Sequence, residues 1–271
     1  MNKPQPQRSR SPRNREPYMH LRALGPNSLP QRFCLDGIEY SLVRTFKHDF
    51  FAASGLYQGP DRMVVLKMGR IADFLGLPTA WIGRWLIARE VRFYSLLQDL
   101  PGVPRLVGRL GPSGFVHEFV PGHNLRRYEM VNDDFFPGLT RLLAALHQRG
   151  IAYVDLEKSE NIIVGDDGRP YLIDFQISWQ WPWARGRDSW PARWLFRRFA
   201  HADRYHLAKH FRRCRPDQMP RDQLEQSRRI SPLIYLHRTL FRPLTLLRRR
   251  VLAHVERARA AARGHAPSES K

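Results

Sequence analysis

The stretch LHQRGIAYVDLEKSENIIVGDDGRPYLIDFQIS, residues 146–178, decides the fold. It begins at the end of an amphipathic helix, and Gly165-Asp-Asp-Gly168 is a turn between two short apolar runs, which predicts a β-hairpin. Asp155 precedes the hairpin, Asn161 lies at its start and Asp174 at its end. Because the two arms of a hairpin run side by side, we expect the oxygens of Asn161 and Asp174 to converge.

These three polar residues form a set suited to phosphoryl transfer. One carboxylate, that of Asp155, can orient an acceptor hydroxyl and take its proton. A second carboxylate and an amide oxygen, those of Asp174 and Asn161, can hold Mg²⁺ on phosphates. The alternative is that all three are ordinary turn residues, because Asp and Asn are common in hairpins.

Residues upstream favour the functional interpretation. Lys67 lies in the strand-like run Met63-Val-Val-Leu-Lys-Met68, and Glu90 lies in a helix predicted over about residues 79–99. A lysine held by a glutamate can bind nucleotide phosphates. A simple ion pair between Glu90 and an arginine of its own helix remains the alternative for that residue.

In this order the motifs resemble those of the protein kinase-like superfamily. Val64-Val-Leu-Lys67 looks like the third-strand lysine motif, and Glu90 looks like its partner on the following helix. His117-Glu-Phe-Val120 resembles the hinge that binds adenine through its backbone. Tyr153-Val-Asp155 and Asp174-Phe-Gln176 stand where the family has His-Arg-Asp and Asp-Phe-Gly. The resemblance covers about residues 38–210.

The resemblance implies an α+β fold with two lobes, a small antiparallel β N-lobe and a larger helical C-lobe, with ATP and Mg²⁺ between them. It implies three groups of site residues: Asp155, Lys67 and Glu90 as catalytic residues, Lys67, Glu118, Phe119 and Val120 at the nucleotide, and Asn161 and Asp174 at the metal. We expect a disordered basic tail over 1–33, the N-lobe and hinge over 34–122, the helical lobe with basic C-terminal helices over 123–258, and a disordered tail over 259–271.

Several departures from the family pattern bear on function. There is no Gly-rich loop, and Lys47 and His48 are interpreted as a solvated turn, with phosphate binding as the alternative. Asn161 follows Asp155 by six positions, where the family usually has five. No Ala-Pro-Glu follows Asp174, and protein kinases hold a peptide with the segment ending there, so we expect a different acceptor.

Two further residues are expected to support the catalytic loop. Asp203-Arg-Tyr-His-Leu207 looks like the start of the buried helix whose aspartate braces that loop in the family. His147 is interpreted as a helix-end residue packed against the same loop, rather than as a metal ligand. Gln176 replaces the glycine of Asp-Phe-Gly, which makes the following segment less free to flip.

The charge is extreme and uneven. The chain has 271 residues and a net charge of +20. Its two cysteines, Cys34 and Cys214, are too few for a disulfide framework or a structural zinc site. The net charge is +6 over 1–33, −1 over 34–178 and +15 over 179–271, which favours a polyanionic partner at the ends. No secretory signal or membrane-spanning run is evident, so we expect a cytoplasmic protein. A peripheral position on the inner face of the cytoplasmic membrane is left open by the basic ends.

The segment after Ser178 is rich in Trp and Arg. Residue types of this kind suit a membrane interface, although packing of the indoles on the helical lobe is the alternative. The combination resembles small bacterial kinases of the lipopolysaccharide-core type. We therefore expect a saccharide or lipid-linked saccharide as the hydroxyl-bearing acceptor, with an anionic membrane surface as a partner.

Two other functions remain open. One is a Ser/Thr protein kinase, and the other is a catalytically weak pseudokinase that acts as a binding module, an option motivated by the extra loop residue and the missing Gly-rich loop. The sequence contains no recognised nucleic-acid-binding motif, so nucleic acid is not the expected partner.

Overall fold

The computed structural model describes residues 21–74, 77–181, 190–219 and 224 of the chain. These ranges form a two-lobed α+β structure, as the sequence predicted. The elements are β1 (Arg32–Leu35), β2 (Ile38–His48), β3 (Ala52–Gln58), β4 (Met63–Gly69), α1 (Ala80–Leu96), β5 (Leu106–Leu110), β6 (Gly114–Glu118), β7 (Gly122–Asn124), α2 (Phe135–Gln148), β8 (Ile151–Ala152), β9 (Ile162–Gly165), β10 (Pro170–Leu172), β11 (Trp179–Gln180) and α3 (Trp190–Cys214).

The N-terminal lobe is built on an antiparallel six-stranded sheet with the order β1-β2-β3-β4-β6-β5. An apolar core that includes Leu66 of β4 covers one face of this sheet. Because successive side chains of a strand point to opposite faces, Lys67 points away from that core and meets α1 instead. The small antiparallel β N-lobe that the resemblance implied is confirmed.

Helix α1 lies very close to the end of β4. Gly83 makes this approach possible, since a Cβ at that position would lie 2.0 Å from the carbonyl oxygen of Arg70. The close contact lets α1 bury Ile87 and Glu90 against the sheet. A glycine at the end of the first turn of α1 therefore sets the position from which Glu90 reaches the strand.

Residues 21–33 correct the expectation of a disordered tail over 1–33. Leu24 and Leu29 are buried in the core of the N-terminal sheet, each 2 % exposed. The Pro- and Arg-rich composition did not predict this packing, because two isolated leucines carry no periodic pattern. Residues 1–20 lie outside the described residues.

Helix α2 is the centre of the C-terminal lobe. Its buried face includes four leucines at helical spacing, Leu139, Leu142, Leu143 and Leu146, as expected for the amphipathic helix that the sequence predicted. It packs against β8, β10 and α3. The predicted hairpin is confirmed as β9 and β10, and β9 also pairs with β7, so the chain enters this lobe at Gly122.

Part of the basic C-terminal region is described. Strand β11 and helix α3 belong to it, whereas the basic helices expected between residue 224 and residue 258 and the tail expected over 259–271 lie outside the described residues. Within the ranges that the structure describes, no helix combines the length and the apolar character needed to cross a bilayer.

Candidate active site

Lys67 connects the two lobes through two carboxylates. Its Nζ lies 2.9 Å from Glu90 Oε1, 2.8 Å from Glu90 Oε2 and 3.0 Å from Asp174 Oδ1. Burial disfavours the ammonium, but the charges of Glu90 and Asp174 outweigh this effect and raise the pKa of Lys67, so the group stays protonated. The alternative pairing of Glu90 with an arginine of its own helix is not observed; Arg89 instead donates to the carbonyl of Ser178.

Asp155 lies on the loop that follows β8, and two neighbours hold one of its carboxylate oxygens. Lys158 Nζ is 2.6 Å from Asp155 Oδ2, and Asn161 donates to the same oxygen at 2.9 Å. Burial raises the pKa of Asp155 above its ordinary value, against the opposing effects of Lys158 and Asn161. A raised pKa suits a carboxylate that takes a proton during a reaction.

The extra residue between Asp155 and Asn161 is accommodated by a short 3-10 helix, Ser159–Asn161. The turn just before it, in which the N–H of Lys158 donates to the carbonyl of Asp155 at 3.2 Å, brings Lys158 back onto the Asp155 carboxylate. Glu157 lies 3.4 Å from Lys209 of α3. Sequence reasoning left the alignment of this loop open and did not identify Lys158 as a site residue; the signal available was a lysine three positions after the aspartate.

Asn161 and Asp174 lie together at the open end of the β9–β10 hairpin. The N–H of Ile173 donates to the carbonyl of Asn161 at 3.1 Å, which fixes Asn161 beside the residue preceding Asp174. Asn161 uses its amide nitrogen on Asp155, so its Oδ1 remains a ligand oxygen, as does Oδ2 of Asp174. Amide and carboxylate oxygens are ligands that Mg²⁺ prefers, so this donor set fits the metal. This pair contains a single carboxylate and is therefore a different kind of site from a cluster of three or more His, Cys, Asp or Glu side chains. In the described ranges no such cluster that could hold a metal is present.

Two non-glycine residues of the site have left-handed backbone conformations. Val154 has φ 71° and Asp174 has φ 63°, which together cost on the order of 2–6 kcal/mol. The buried carboxylate of Asp203 holds the first of them, since it accepts the N–H groups of Tyr153 and Val154 at 2.8 Å. His147 Nε2 lies 3.0 Å from the same carboxylate. The structure thus places Asp203 and His147 against the loop, where the sequence expected them.

A column of three buried aromatic rings joins the catalytic loop to α1. Tyr153 packs on Phe175, and Phe175 packs on Tyr94, each pair at 5.3 Å between ring centroids and steeply inclined. The hydroxyl of Tyr153 donates to the carbonyl of Ile173. Tyr94 was not identified from the sequence, although it lies one helical turn after Glu90 and therefore on the same face of α1.

The segment where the chain crosses from the N-terminal to the C-terminal lobe, here called the crossing, is the predicted hinge of residues 117–120. Its backbone was predicted to bind adenine. The N–H of Glu118 donates to Arg105 at 2.9 Å, and the N–H of Phe119 donates to Met63 at 3.3 Å. Within the described part of the chain, the N–H of Val120 has no such partner. It is therefore the donor that this crossing offers to a base.

His117 is the first residue of the predicted hinge motif, but the sequence assigned no role to its side chain. Its ring stacks on Tyr94 at 5.3 Å, and Nδ1 lies 2.8 Å from the carbonyl oxygen of Glu118. Burial lowers the pKa of His117 to about 4, so the imidazole is neutral near pH 7. A lone histidine in a strand carries no sequence signal for this position.

Lys47 and His48, which were expected to form a solvated turn, belong instead to strand β2. Strand β2 continues through His48, whose Nε2 accepts the N–H of Leu24 at 3.2 Å, so the expectation is wrong for this histidine. Lys47 is exposed and pairs with Asp49 at 3.0 Å. Its charge nevertheless contributes to a lowered pKa of Asp174, after the larger effects of Lys67 and Lys158, although burial of Asp174 acts in the opposite direction. Lys47 thus lies within electrostatic reach of the site.

The Trp residues after Ser178 were expected either to lie at a membrane interface or to pack on the helical lobe. Of those in the described ranges, two pack on the protein and two are exposed. Trp181 is buried and Trp179 is half-buried against Phe196 and Phe199. Trp190 and Trp194 are exposed on α3. Trp183 lies outside the described residues.

No protein-family model matches this chain, and no curated protein matches it. Among solved structures, the chain is similar to Rio2 kinase of Chaetomium thermophilum, in a structure described as an ADP/Mg²⁺–phosphoaspartate complex. The TM-score is 0.50 and the identity 17 %, over 69 % of this chain and 61 % of that one. The chain therefore spans less than two thirds of the length of that kinase. With the antiparallel sheet, the crossing and the helical lobe, this likeness identifies the fold as protein kinase-like.

Proposed function

We propose that the protein is an ATP-dependent phosphotransferase that moves the γ-phosphoryl group to a hydroxyl. The observation that carries the proposal is the contact of Lys67 with both Glu90 and Asp174. A buried ammonium held by one carboxylate of each lobe costs desolvation energy, and a purely structural core would be as stable with apolar residues of the same size. The arrangement is useful where phosphate charge must be bound.

The nucleotide is positioned by residues from both lobes. The base lies against the crossing, where Val120 offers its N–H, and Phe46 stacks on Phe119 at 6.4 Å between ring centroids beside it. Lys67 binds phosphate oxygens, and Lys47 supplies a second positive charge where the family has a Gly-rich loop. Asn161 and Asp174 would hold Mg²⁺, which would supply positive charge beside the phosphates.

Asp155 is the residue that acts on the acceptor. Its carboxylate accepts the proton of the acceptor hydroxyl as that oxygen bonds to the γ-phosphorus, while the bond from the γ-phosphorus to the β,γ-bridging oxygen breaks and the electron pair leaves with ADP. Lys158, 2.6 Å from Asp155, lies where its charge can meet the transferred group. Asp203 keeps the loop, and hence Asp155, in position.

A saccharide or lipid-linked saccharide such as lipopolysaccharide core is the proposed acceptor. The short connection after Asp174 supports this choice. Its residues 179–180 pair with β8, the N–H of Trp181 donates to Gly150 at 2.7 Å, and α3 begins at Trp190. The chain thus returns to the helical lobe soon after Asp174 and contains no Ala-Pro-Glu with which to hold an extended peptide.

The test is an assay with [γ-³²P]ATP and Mg²⁺ on cell-envelope glycolipid, soluble saccharides and a generic protein substrate, comparing wild type with Asp155→Asn. Asp166→Asn is the matched control, because it makes the same change at an exposed position of the β9–β10 hairpin turn. We expect label in glycolipid or saccharide, lost only with Asp155→Asn. Label only in protein would identify a protein kinase, and nucleotide binding with no transfer to any acceptor would identify a non-catalytic module.

A further inference from the structure

Two helices of different lobes begin with the same five-residue pattern. Trp81-Ile-Gly-Arg-Trp85 lies at the start of α1, and Trp190-Pro-Ala-Arg-Trp194 starts α3. In each case Trp, Arg and Trp occupy positions i, i+3 and i+4, which lie on one face of a helix. We call these two segments the Trp-Arg-Trp motifs.

The motif of α1 faces away from the protein. Trp81 is 66 % exposed and Trp85 57 % exposed, and Arg84 between them is also exposed. The helix contains one carboxylate, Glu90, which is buried against Lys67. The outer face of α1 is therefore indole and guanidinium, without an exposed acidic side chain.

The motif of α3 has the same character. Trp190 is 76 % exposed and Trp194 53 % exposed, and Arg197 and Arg204 continue the exposed face along the helix. The helix again contains one carboxylate, Asp203, and this is fully buried beneath the catalytic loop. Each helix thus directs its one acidic group inward to the site and exposes the arginine of its motif.

A shared segment links the two helices. Arg89 of α1 donates to the carbonyl of Ser178, and Arg92 of α1 donates to Gln180 at 2.6 Å. Trp179, between these two residues, packs on Phe199 of α3. Residues 178–180 therefore contact both helices and connect the two elements that carry the motifs.

We propose that the two Trp-Arg-Trp motifs form a docking surface for an anionic lipid bilayer. Charge complementarity supports this occupant, because both faces are basic without exposed carboxylates and the chain carries a net charge of +20. Indole rings bind at the headgroup level of a bilayer, and guanidinium groups pair with lipid phosphates. The inference does not depend on the proposed phosphotransferase activity, although docking there would bring the site to a membrane-bound acceptor.

The test is co-sedimentation of the full-length protein with vesicles of phosphatidylcholine alone or with phosphatidylglycerol, over a salt series. We expect binding only to the anionic vesicles, weakening as salt rises, since screening reduces the attraction. Trp81→Ser/Trp85→Ser and Trp190→Ser/Trp194→Ser should each weaken binding about tenfold. Tyr128→Ser/Met130→Ser is the matched control, because it removes two equally exposed apolar side chains elsewhere on the surface.

Three outcomes would overturn the proposal. They are equal binding to neutral vesicles, undiminished binding by both Trp double variants, and tighter binding to a duplex or single-stranded oligonucleotide that the same variants abolish. The melting temperature of each variant is measured alongside, and Trp81→Phe/Trp85→Phe should retain part of the binding. Activity on a soluble acceptor should stay unchanged in all of them, which separates a failure of docking from a failure of catalysis.

Discussion

Lys67 Nζ lies 3.0 Å from Asp174 Oδ1, although the two residues are 107 positions apart and belong to different lobes. Lys67 is on a strand of the N-terminal sheet, and Asp174 follows the last strand of the C-terminal hairpin. With Glu90 also within 2.9 Å of the ammonium, α1 is held in the position that completes the site. The two lobes are thus joined through the groups that are proposed to bind phosphate.

Replacement of the predicted metal ligand tests the site directly. Asp174→Asn should lower Mg²⁺-dependent transfer at least about 100-fold, because the metal loses a charged ligand. The fold should persist, since the amide has nearly the same shape. The measurements are the initial rate at saturating Mg²⁺ and the far-UV circular dichroism spectrum. Unchanged turnover would remove Asp174 from the metal site, and Asp166→Asn should behave as wild type.

Lys158 is expected to act in transfer rather than in folding. Its ammonium is half-exposed and pairs with Asp155 at 2.6 Å, so Lys158→Met should cost little stability but lower kcat about 10–100-fold at a similar KM for ATP. Steady-state kinetics separate the two parameters. Lys209→Met is the matched control, because that lysine pairs with Glu157 of the same loop instead of Asp155. Equal effects of both variants would contradict a specific role for Lys158.

Lys47 is expected to contribute to nucleotide binding. Its positive charge reaches Asp174, so Lys47→Ala should raise the Kd for ATP about tenfold, or about 1.4 kcal/mol, by removing a cation near the phosphates. Isothermal titration with ATP and Mg²⁺ measures the change. Arg62→Ala removes an exposed cation from the turn between β3 and β4 and should have no effect. If the Kd of the Lys47 variant is unchanged, the phosphates are held by other groups.

Asp203 is expected to carry much of the stability of the C-terminal lobe. Asp203→Ala would leave the N–H groups of Tyr153 and Val154 without their acceptor, and such a loss in a buried network costs about 3–5 kcal/mol. Urea unfolding followed by fluorescence gives the free energy of unfolding. His201→Ala, at an exposed position of the same helix, should change it by less than about 0.5 kcal/mol. A similar small change for Asp203→Ala would show that the loop is held by other contacts.

His117 is expected to make stability depend on pH. Burial lowers its pKa to about 4, whereas the unfolded chain takes up the proton near pH 6.5. Between these values the unfolded state binds more protons, so this contribution to stability is complete above about pH 6.5 and is lost as the pH falls toward 4. The full effect is on the order of 3 kcal/mol. In His117→Phe, the decline of the free energy of unfolding from pH 7 to pH 4.5 should be smaller than in wild type; parallel curves would contradict this assignment.

Local chemistry made much of the architecture predictable. The turn Gly165-Asp-Asp-Gly168 fixes a hairpin through residues a few positions apart, and the leucine spacing of α2 fixes its buried face in the same way. The structure also brings together the residues proposed for catalysis and metal binding, Lys67, Glu90, Asp155, Asn161 and Asp174. Their roles remain predictions, although their proximity followed from the order of the motifs.

The sequence by itself determined the local elements and the order of the motifs, because turns, strand alternation and helix spacing are properties of neighbouring residues. The two lobes were expected from the family resemblance that this order carries. Only the tertiary structure decided that Lys158 contacts Asp155, that His117 is buried on Tyr94, and that residues 21–33 pack on the sheet. The physical reason is that burial and pairing depend on which distant surface meets a residue. A lysine, a histidine or an isolated leucine has the same local pattern whether that surface is present or absent.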